Sequence, residues 1–451
     1  MRKKFTRRQL LRHGISLGAM SAAGRLSVPS VAYASDSPTV DKNFIFCYFS
    51  GGWDVLLGLD PKDPEVFTEE RKYETRIELG FHKLPSNYRN LVETSVPEIT
   101  FGPYIGNLAQ HADKMCLVRG MSVDALGHPA GNARFITGKP PSGSNARGSS
   151  VATVISDLYG SQRLLSNLCF RMSSYNVDRS SSATGTRIWS LDDLYTFLER
   201  TDAPFDELVF NEIDDFLQIH TNPNQSDFIA NALDYKEKMR EMTALQLKEE
   251  FDLDGSATDM ASVRDIFDIT GSINPQNALN DAKIRAAMAA RAIVSGTSRC
   301  VSVEIQGGLD THKLWAGDQG PNQERGFNAM ASLISYLDSV PHDNGGTYLD
   351  HTTILCYSEL GRTPMLIGDG RNHNRTTSCF LAGAGIKKGV VVGGSSEVGA
   401  GCQRVDLQTG LVSDTGVIVR PEHIHRALLH SIGHTEDSAD LRVEPLHAIL
   451  S

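Results

Sequence analysis

The chain has no long apolar run after its N-terminal segment. Because no later stretch approaches the roughly 18 continuous apolar residues that a membrane-spanning helix needs, we expect no transmembrane helix in the mature protein. The seven cysteines include no C-x-x-C pair. All but Cys402 lie in or beside short apolar runs, where cysteine behaves as a small buried residue. The sequence therefore predicts no disulfide framework.

Basic residues are also in the minority, with 44 Lys and Arg against 54 Asp and Glu. Residues 1–34 hold seven of the basic residues and no acidic one, so their removal leaves 37 against 54 and a net charge near −17. Such a surface lacks the basic footprint of a nucleic-acid-binding protein, and we expect no nucleic acid partner. It does not exclude a small anionic substrate, since local cations can reverse the sign of the potential within a cleft.

Residues 1–34 have the features of a twin-arginine signal peptide in the expected order. Arg7 and Arg8 precede a moderately apolar run over 15–31, and residues 32–34, Ala-Tyr-Ala, offer small side chains for a signal peptidase. A basic amphipathic tail is the alternative interpretation. We expect recognition by the twin-arginine export machinery and a periplasmic or secreted location. That route carries folded chains, including proteins that must first acquire a cofactor.

The rest of the chain predicts an α/β fold with a mainly parallel sheet. Apolar runs at 43–50, 301–305 and 353–357 are each followed by glycine and acidic residues, which is typical of buried parallel strands. Apolar residues at helical spacing predict a helix over 323–339, and charged helical periodicity dominates 190–297. The predicted divisions are a signal peptide at 1–34, a first part of the α/β core at 35–189, a helical insertion or cap at 190–297 and a second part of the core at 298–451.

Acidic and imidazole side chains follow three of the predicted strands. Asp54 follows the first strand, Asp310 and His312 follow the second, and Glu359 follows the third, with His373 fourteen residues later. Open α/β sheets place their sites at the carboxyl ends of the strands. Each residue alone has an ordinary interpretation as a helix cap or a structural histidine. Together they predict one or two divalent ions, with zinc, manganese, calcium and magnesium as the candidates.

A metal cluster of this kind supports attack on a phosphoryl or sulfuryl centre. Arg362 lies one turn beyond Glu359, where it would bind an oxyanion or form an ion pair with Glu359. The candidate nucleophiles are Ser122, Ser149 and Ser150, although a helix cap is the more ordinary role for the last two. Direct attack by water would need no protein nucleophile.

Several motifs together resemble a known family. They are the twin-arginine leader, GGWD at 51–54, GGLDTH at 307–312, and SELGRTP at 358–364 followed by a loop that carries His373. The combination resembles a secreted bacterial family catalogued as domain of unknown function 1501, which is placed in the alkaline phosphatase and sulfatase superfamily. The resemblance runs from about residue 43 to the C-terminus and is weakest in the helical insertion. It implies an alkaline-phosphatase-like three-layer α/β/α sandwich.

The resemblance also implies that four strand-end residues bind metal: Asp54, Asp310, His312 and His373. Glu359 stands where the superfamily has an Asp-His pair, and Asn372 stands where Asp more often precedes the last histidine. The sulfatase motif C-x-P-x-R is absent, since Cys116 is followed by Leu-Val-Arg. The resemblance instead assigns His128 to the loop that carries the nucleophile in the superfamily.

Two functions remain open at this point. The first is an exported metal-dependent hydrolase of phosphate or sulfate esters, with His128 and Arg362 as catalytic residues. The second is a non-catalytic exported protein of the same fold with a binding or envelope-assembly role. The acidic residues and histidines at strand ends favour the first, while the altered ligand set and the lack of a clear nucleophile favour the second. An oxidoreductase is disfavoured because GGWD is not the G-x-G-x-x-G fingerprint.

Overall fold

The computed structural model describes residues 42–160, 163–198, 247–255 and 259–451. The predicted signal peptide at 1–34 lies outside the described residues, as does the part of the predicted insertion at 199–246. Among the residues that are described, none of the helices combines the length and the apolar character needed to cross a membrane.

An eight-stranded sheet forms the centre of the fold. Its strands are β1 (Asn43–Phe49), β2 (Met115–Ser122), β3 (Asn167–Phe170), β4 (Thr186–Ile188), β5 (Cys300–Gln306), β6 (Thr352–Ser358), β7 (Thr376–Gly383) and β8 (Val390–Gly393). Their spatial order is β8-β2-β7-β6-β1-β5-β3-β4. Strand β7 is antiparallel to both of its neighbours, and all other neighbouring pairs are parallel. The predicted mainly parallel sheet is confirmed.

The α-helices of the described residues are α1 (Lys72–Thr75), α2 (His128–Thr137), α3 (Val151–Tyr159), α4 (Leu191–Leu198), α5 (Met260–Ile266), α6 (Ala282–Val294), α7 (Trp315–Ser339) and α8 (Pro421–His430). Short 3-10 helices are Val55–Leu57, Phe81–Lys83, Ser86–Tyr88, Gly106–Lys114, Ser181–Ala183, Glu249–Phe251, Ala278–Asn280, Tyr348–His351 and His447–Ile449. Three two-stranded pairs join Val92–Glu93 to Thr100–Phe101, Gly361–Arg362 to His373–Asn374, and Arg404–Val405 to Val417–Ile418.

Helices cover both faces of the sheet. Alternate residues of β1, namely Ile45, Cys47 and Phe49, share one core with α6 and α7. The residues between them, Phe44, Phe46 and Tyr48, share a second core with α2, α3 and α8. Because β1 is buried on both faces, its sequence is continuously apolar rather than alternating. The architecture is the predicted three-layer α/β/α sandwich.

The described part of the predicted insertion contains α4, α5 and α6 and no β-strand. Helix α6 packs against β5 and α7, and its alanine-rich centre is buried. Its Arg285 donates from Nη2 to Ile305 O at 2.7 Å, which ties the helix to the end of β5. Helix α6 therefore belongs to the layer that covers the sheet, while the division of the chain at 190 and 297 stays a prediction.

Candidate metal centre

The loops that follow β1 and β5 meet at the carboxyl edge of the sheet. Gly51 and Gly52 have φ angles of 108° and 84°, values that side-chain-bearing residues rarely adopt. A Cβ atom added to Gly51 would lie 2.6 Å from the backbone nitrogen of Asp310, so the two loops are in direct backbone contact. Glycine at 51 thus allows the close approach that brings the two strand-end loops together.

Asp310 lies at the centre of a group of three histidines. Its Oδ1 is 3.1 Å from Nε2 of His312 and 3.1 Å from Nε2 of His373, and its Oδ2 is 3.3 Å from Nε2 of His128. The ligand atoms of His128, Asp310 and His373 all lie within 4.8 Å of one another. We refer to His128, Asp310, His312 and His373 as the Asp310 cluster.

Each of the three histidines has an oxygen acceptor at its other ring nitrogen, Nδ1. The pairs are His128 with Glu359 Oε1 at 2.7 Å, His312 with Asn372 Oδ1 at 2.9 Å, and His373 with Leu126 O at 2.6 Å. Since carboxylate and carbonyl oxygens only accept hydrogen bonds, Nδ1 of each ring carries the proton. In the neutral imidazole this leaves the lone pair on Nε2. Three Nε2 lone pairs are therefore directed at one carboxylate.

Glu359 lies behind His128 and not beside Asp310. Its side chain is fully buried, and Oε1 accepts from the backbone nitrogen of Gly51 at 2.8 Å as well as from His128. Its Oε2 accepts from Ser358 Oγ at 3.0 Å. Both oxygens are thus engaged by the protein. In this structure Glu359, predicted as a direct metal ligand, fixes the orientation and tautomer of His128.

Arg362 ties the strand-end loops to one another. It is buried, and each of its three guanidinium nitrogens donates to the protein. Nε donates to Gly52 O at 3.0 Å, Nη1 to Arg371 O at 3.0 Å and Nη2 to Asp310 Oδ1 at 2.7 Å. None of these bonds goes to Glu359, the ion-pair partner that the sequence offered. Arg362 therefore holds the carboxylate of Asp310 in place.

Asp54 is not part of the Asp310 cluster. Its Oδ2 is 2.9 Å from Nε of Arg371 and accepts from Nε1 of Trp315 at 2.8 Å, and its Oδ1 accepts from the backbone nitrogen of Leu56 at 3.0 Å. The guanidinium of Arg371 also lies over the Trp315 ring, 4.8 Å from its centroid. Asp54 and Arg371 form a fully buried ion pair. The structure thus places Asp54, predicted as a metal ligand, in a structural contact.

The three candidate nucleophiles are buried and bonded elsewhere. Their contacts are Ser122 Oγ to Asp124 Oδ1 at 2.9 Å, Ser149 Oγ to Asp178 Oδ1 at 2.6 Å, and the backbone nitrogen of Tyr175 to Ser150 Oγ at 2.9 Å. Ser150 precedes α3 as its N-cap residue, but its side chain makes no capping hydrogen bond. The predicted hydroxyl cap is therefore wrong for this helix, and none of these bonds reaches the Asp310 cluster.

The charged groups in and beside the cluster shift the pKa values of Asp310 and His128. Partial burial of Asp310 favours its neutral form, but the hydrogen bond and the positive charge of Arg362, together with the charge of a protonated His128, outweigh burial and hold the pKa of Asp310 well below its ordinary value. The hydrogen bond to Glu359 raises the pKa of His128, and burial of the ring opposes this. His128 is therefore a position where the surrounding carboxylates favour positive charge.

The cluster fits a divalent ion. Nitrogen and oxygen atoms that bind one ion at about 2.0–2.2 Å lie about 3–3.5 Å apart. In the cluster, Nε2 of His312 and Nε2 of His373 are 3.0 Å apart, the distances from the three Nε2 atoms to Asp310 oxygens are 3.1 to 3.3 Å, and the ligand atoms of His128, Asp310 and His373 all lie within 4.8 Å of one another. Two facing lone pairs at this distance repel unless a cation or proton lies between them. Nε2 of His128 is also buried without a hydrogen-bond partner, which a cation would provide.

Sequence reasoning missed the supporting residues of this site. Gly127 and a proline in the first turn of α2 mark the helix start at His128, but the partner that orients its ring, Glu359, lies 231 positions later in the chain. The roles of Leu126, Asn372 and Arg371 carry no local signal, because each depends on a contact between loops that are far apart in the chain.

Comparisons with known proteins place the chain in a family without an assigned activity. No protein of curated function matches it. Among solved structures, a protein of the alkaline phosphatase superfamily from Vibrio parahaemolyticus has a TM-score of 0.37 at 10% identity, over 99% of this chain and 80% of that chain. The lipoteichoic acid synthase LtaP from Listeria monocytogenes has a TM-score of 0.30 at 9% identity, over 78% and 68% of the respective chains. The family model described as "Protein of unknown function (DUF1501)" matches residues 41–191 and 199–416, and the chain therefore belongs to that family.

Proposed function

We propose that the protein is an exported metal-dependent hydrolase of phosphate or sulfate esters, with its metal ion in the Asp310 cluster. The observation that carries this proposal is the convergence of three Nε2 atoms on Asp310, each with its Nδ1 fixed by an oxygen acceptor. Metal-binding histidines characteristically have such a second contact, which fixes the tautomer and the ring orientation.

The ligands of the proposed ion are His128, Asp310, His312 and His373. A set with three imidazoles and one carboxylate suits zinc or manganese better than calcium or magnesium, which prefer oxygen ligands. All three histidines approach the same carboxylate at 3.1 to 3.3 Å, which favours a single ion over two.

The protein residues position the reacting groups. When bound, the ion would neutralise the non-bridging oxygens of an anionic ester. Glu359 holds His128, and Arg362 holds Asp310, so both act by orienting ligands and not by contacting the substrate. Because Ser122, Ser149 and Ser150 are bonded elsewhere, we infer that water is the nucleophile.

Elemental analysis of the full mature protein, purified without chelator, tests the metal site. We expect about one equivalent of zinc or manganese in the wild type. Asp310→Asn should lose the metal with little change in the fold. Asp318→Asn, which changes an exposed carboxylate in the first turn of α7, is the matched control and should keep the metal. No metal in the wild type, together with no rise in thermal stability when ions are added, would argue against the site.

The second candidate function is a non-catalytic exported binding protein with the same metal site. It is favoured by two observations: the candidate serines are bonded elsewhere, and every guanidinium nitrogen of Arg362 donates to the protein. Turnover separates the two functions. Metal-loaded protein that hydrolyses no member of a panel of phosphate and sulfate esters supports the binding protein.

Export is tested separately through residues 1–34. Replacing both Arg7 and Arg8 with lysine keeps the charge but removes the twin-arginine pair, so we expect the precursor to stay in the cytoplasm. Cell fractionation with detection of the full-length chain measures this. Periplasmic protein in the double variant, at the wild-type level, would contradict twin-arginine export.

A further inference from the structure

Three exposed apolar side chains lie on the loops that carry the Asp310 cluster. Leu126 is 46% exposed, Leu314 is 64% exposed and Ile367 is 53% exposed. We refer to these three residues as the apolar rim. Single exposed apolar residues are ordinary, but three on the loops that carry the polar Asp310 cluster call for an explanation.

Each rim residue is linked to the cluster by a backbone contact or by its place in the chain. Leu126 O accepts from Nδ1 of His373 at 2.6 Å, and Leu314 follows His312 by two residues. Ile367 donates from its backbone nitrogen to Gly370 O at 2.8 Å. Gly370 in turn packs so closely on His312 that an added Cβ would lie 2.1 Å from His312 O.

Leu314 occupies a position that leucine does not favour. Its φ of 57° lies in the left-handed region, where residues with a Cβ are strained and glycine or asparagine is preferred. It is also the N-cap residue of α7, where a leucine side chain cannot accept a hydrogen bond from the helix. Neither burial nor local conformation accounts for a leucine here. Strain at an exposed residue beside a candidate site points to a contact with a ligand.

We propose that the apolar rim binds the alcohol portion of the substrate, so that the preferred esters are those of apolar alkyl or aryl alcohols. This inference rests on the proposed function and names its substrate class. The anionic head group would lie at the Asp310 cluster, beside the exposed Lys313. A sugar alcohol would lose water at the rim without gaining hydrogen-bond partners there, which disfavours sugar esters.

Binding of n-alkylphosphonates tests the rim without requiring turnover. Calorimetry on the metal-loaded full chain would compare phosphonates of increasing chain length, below their micelle concentrations. We expect affinity to rise about two- to four-fold for each added methylene that the rim covers. Affinity that is independent of chain length in the wild type, or no binding of any phosphonate, would overturn the proposal.

Leu314→Asn separates a ligand contact from a structural role. Asparagine suits both the left-handed conformation and the N-cap position, so we expect a higher melting temperature but a weaker dependence of affinity on chain length. The matched control is Leu411→Asn, which changes a leucine that is 68% exposed on another loop and should leave the dependence unchanged. Leu126→Asn is a second rim variant, and it should also weaken the dependence of affinity on chain length.

The outcomes distinguish this inference from the proposed function. Equal metal content in all variants, checked by elemental analysis, shows that the cluster is intact. If both rim variants keep the wild-type dependence on chain length, the rim does not bind the alkyl chain and the inference fails. If the dependence is present but no ester is hydrolysed, the hydrolase proposal fails and the apolar binding site stands.

Discussion

The protonation of individual histidine nitrogens determines what the Asp310 cluster can bind. In His128, His312 and His373 the oxygen at Nδ1 keeps the proton away from the cluster, so Nε2 is available as a ligand. The three acceptors are chemically different, namely a buried carboxylate, a side-chain amide and a backbone carbonyl. The carboxylate of Glu359 carries charge, and its hydrogen bond raises the pKa of His128.

Glu359→Gln tests the orienting role of this carboxylate. We expect metal affinity to fall about 10- to 100-fold, the usual effect of removing an outer-shell partner, with one metal site still present. Titration of the metal-free protein with zinc in competition with a chelator measures the affinity. Glu324→Gln, on α7, is a control that should leave zinc affinity unchanged. Complete loss of the metal in Glu359→Gln would instead indicate that Glu359 binds the ion directly.

Asp54→Asn should behave differently from changes in the cluster. Asp54 and Arg371 are both buried, and removing one charge of a buried pair leaves the other uncompensated. We expect a loss of about 3–5 kcal/mol in the free energy of unfolding, measured by urea denaturation in the presence of chelator. Asp318→Asn, at an exposed aspartate on α7, should cost less. Metal loss without destabilisation in Asp54→Asn would restore Asp54 as a ligand.

At the level of secondary structure, the sequence predicted the central strands better than it predicted the start of helix α7 or the contacts between loops. Strand β1 was predictable because burial on both faces makes a parallel strand continuously apolar up to the glycines that follow it. Strands β5 and β6 were predictable because β-branched residues are concentrated in short runs that glycine and acidic residues follow. Helix α7 starts at Trp315 and not at the predicted residue 323. The prediction missed its first two turns because Gly320 and Pro321 interrupt the helical pattern of the sequence. Gly320 is required there by packing, since an added Cβ would lie 2.3 Å from Tyr104.

The same reasoning explains why the candidate site was only partly predictable. That acidic residues gather at one edge follows from parallel strands with aligned carboxyl ends. Which of them face the cluster depends on loop contacts: Asp54 turns to Arg371, while Asp310 turns to three histidines. Asp54 and Arg371 lie 317 positions apart, and Asp310 and His128 lie 182 positions apart, so no local pattern encodes these contacts.

Gly51→Ala tests the contact between the loops after β1 and β5. The left-handed conformation alone costs a residue with a Cβ about 1–2 kcal/mol, and the clash with the Asp310 backbone adds to this. We expect lower thermal stability and weaker metal binding together, measured by calorimetry and zinc titration. The control is Gly317→Ala, where an added Cβ meets nothing within 4 Å and helix propensity should improve slightly. Unchanged metal binding in Gly51→Ala would show that the cluster does not depend on this loop contact.

At the level of the whole molecule, the Asp310 cluster joins distant parts of the chain. His128 lies 182 positions before Asp310 in the chain, and His373 lies 63 positions after it. A bound ion would therefore hold together loops that are far apart in the chain and would stabilise the folded protein by mass action. The size of this effect depends on pH, because histidine must be neutral to bind a metal.

The stabilisation by metal should increase as pH rises from about 5.5 to 8. In the chelated protein, His128 has a raised pKa, so it stabilises the fold below its unfolded pKa of about 6.5, and this contribution is lost as pH rises through the folded pKa. Over the same range fewer protons compete with the ion for the imidazole of His128. Both effects widen the difference in stability between metal-loaded and chelated protein, towards about 2.7 kcal/mol at free metal 100-fold above the dissociation constant. Melting curves with zinc and with chelator at several pH values measure this difference. Asp310→Asn should show little difference at any pH. A wild-type difference that stays constant or shrinks as pH rises would mean that the histidines of the cluster are not the ligands.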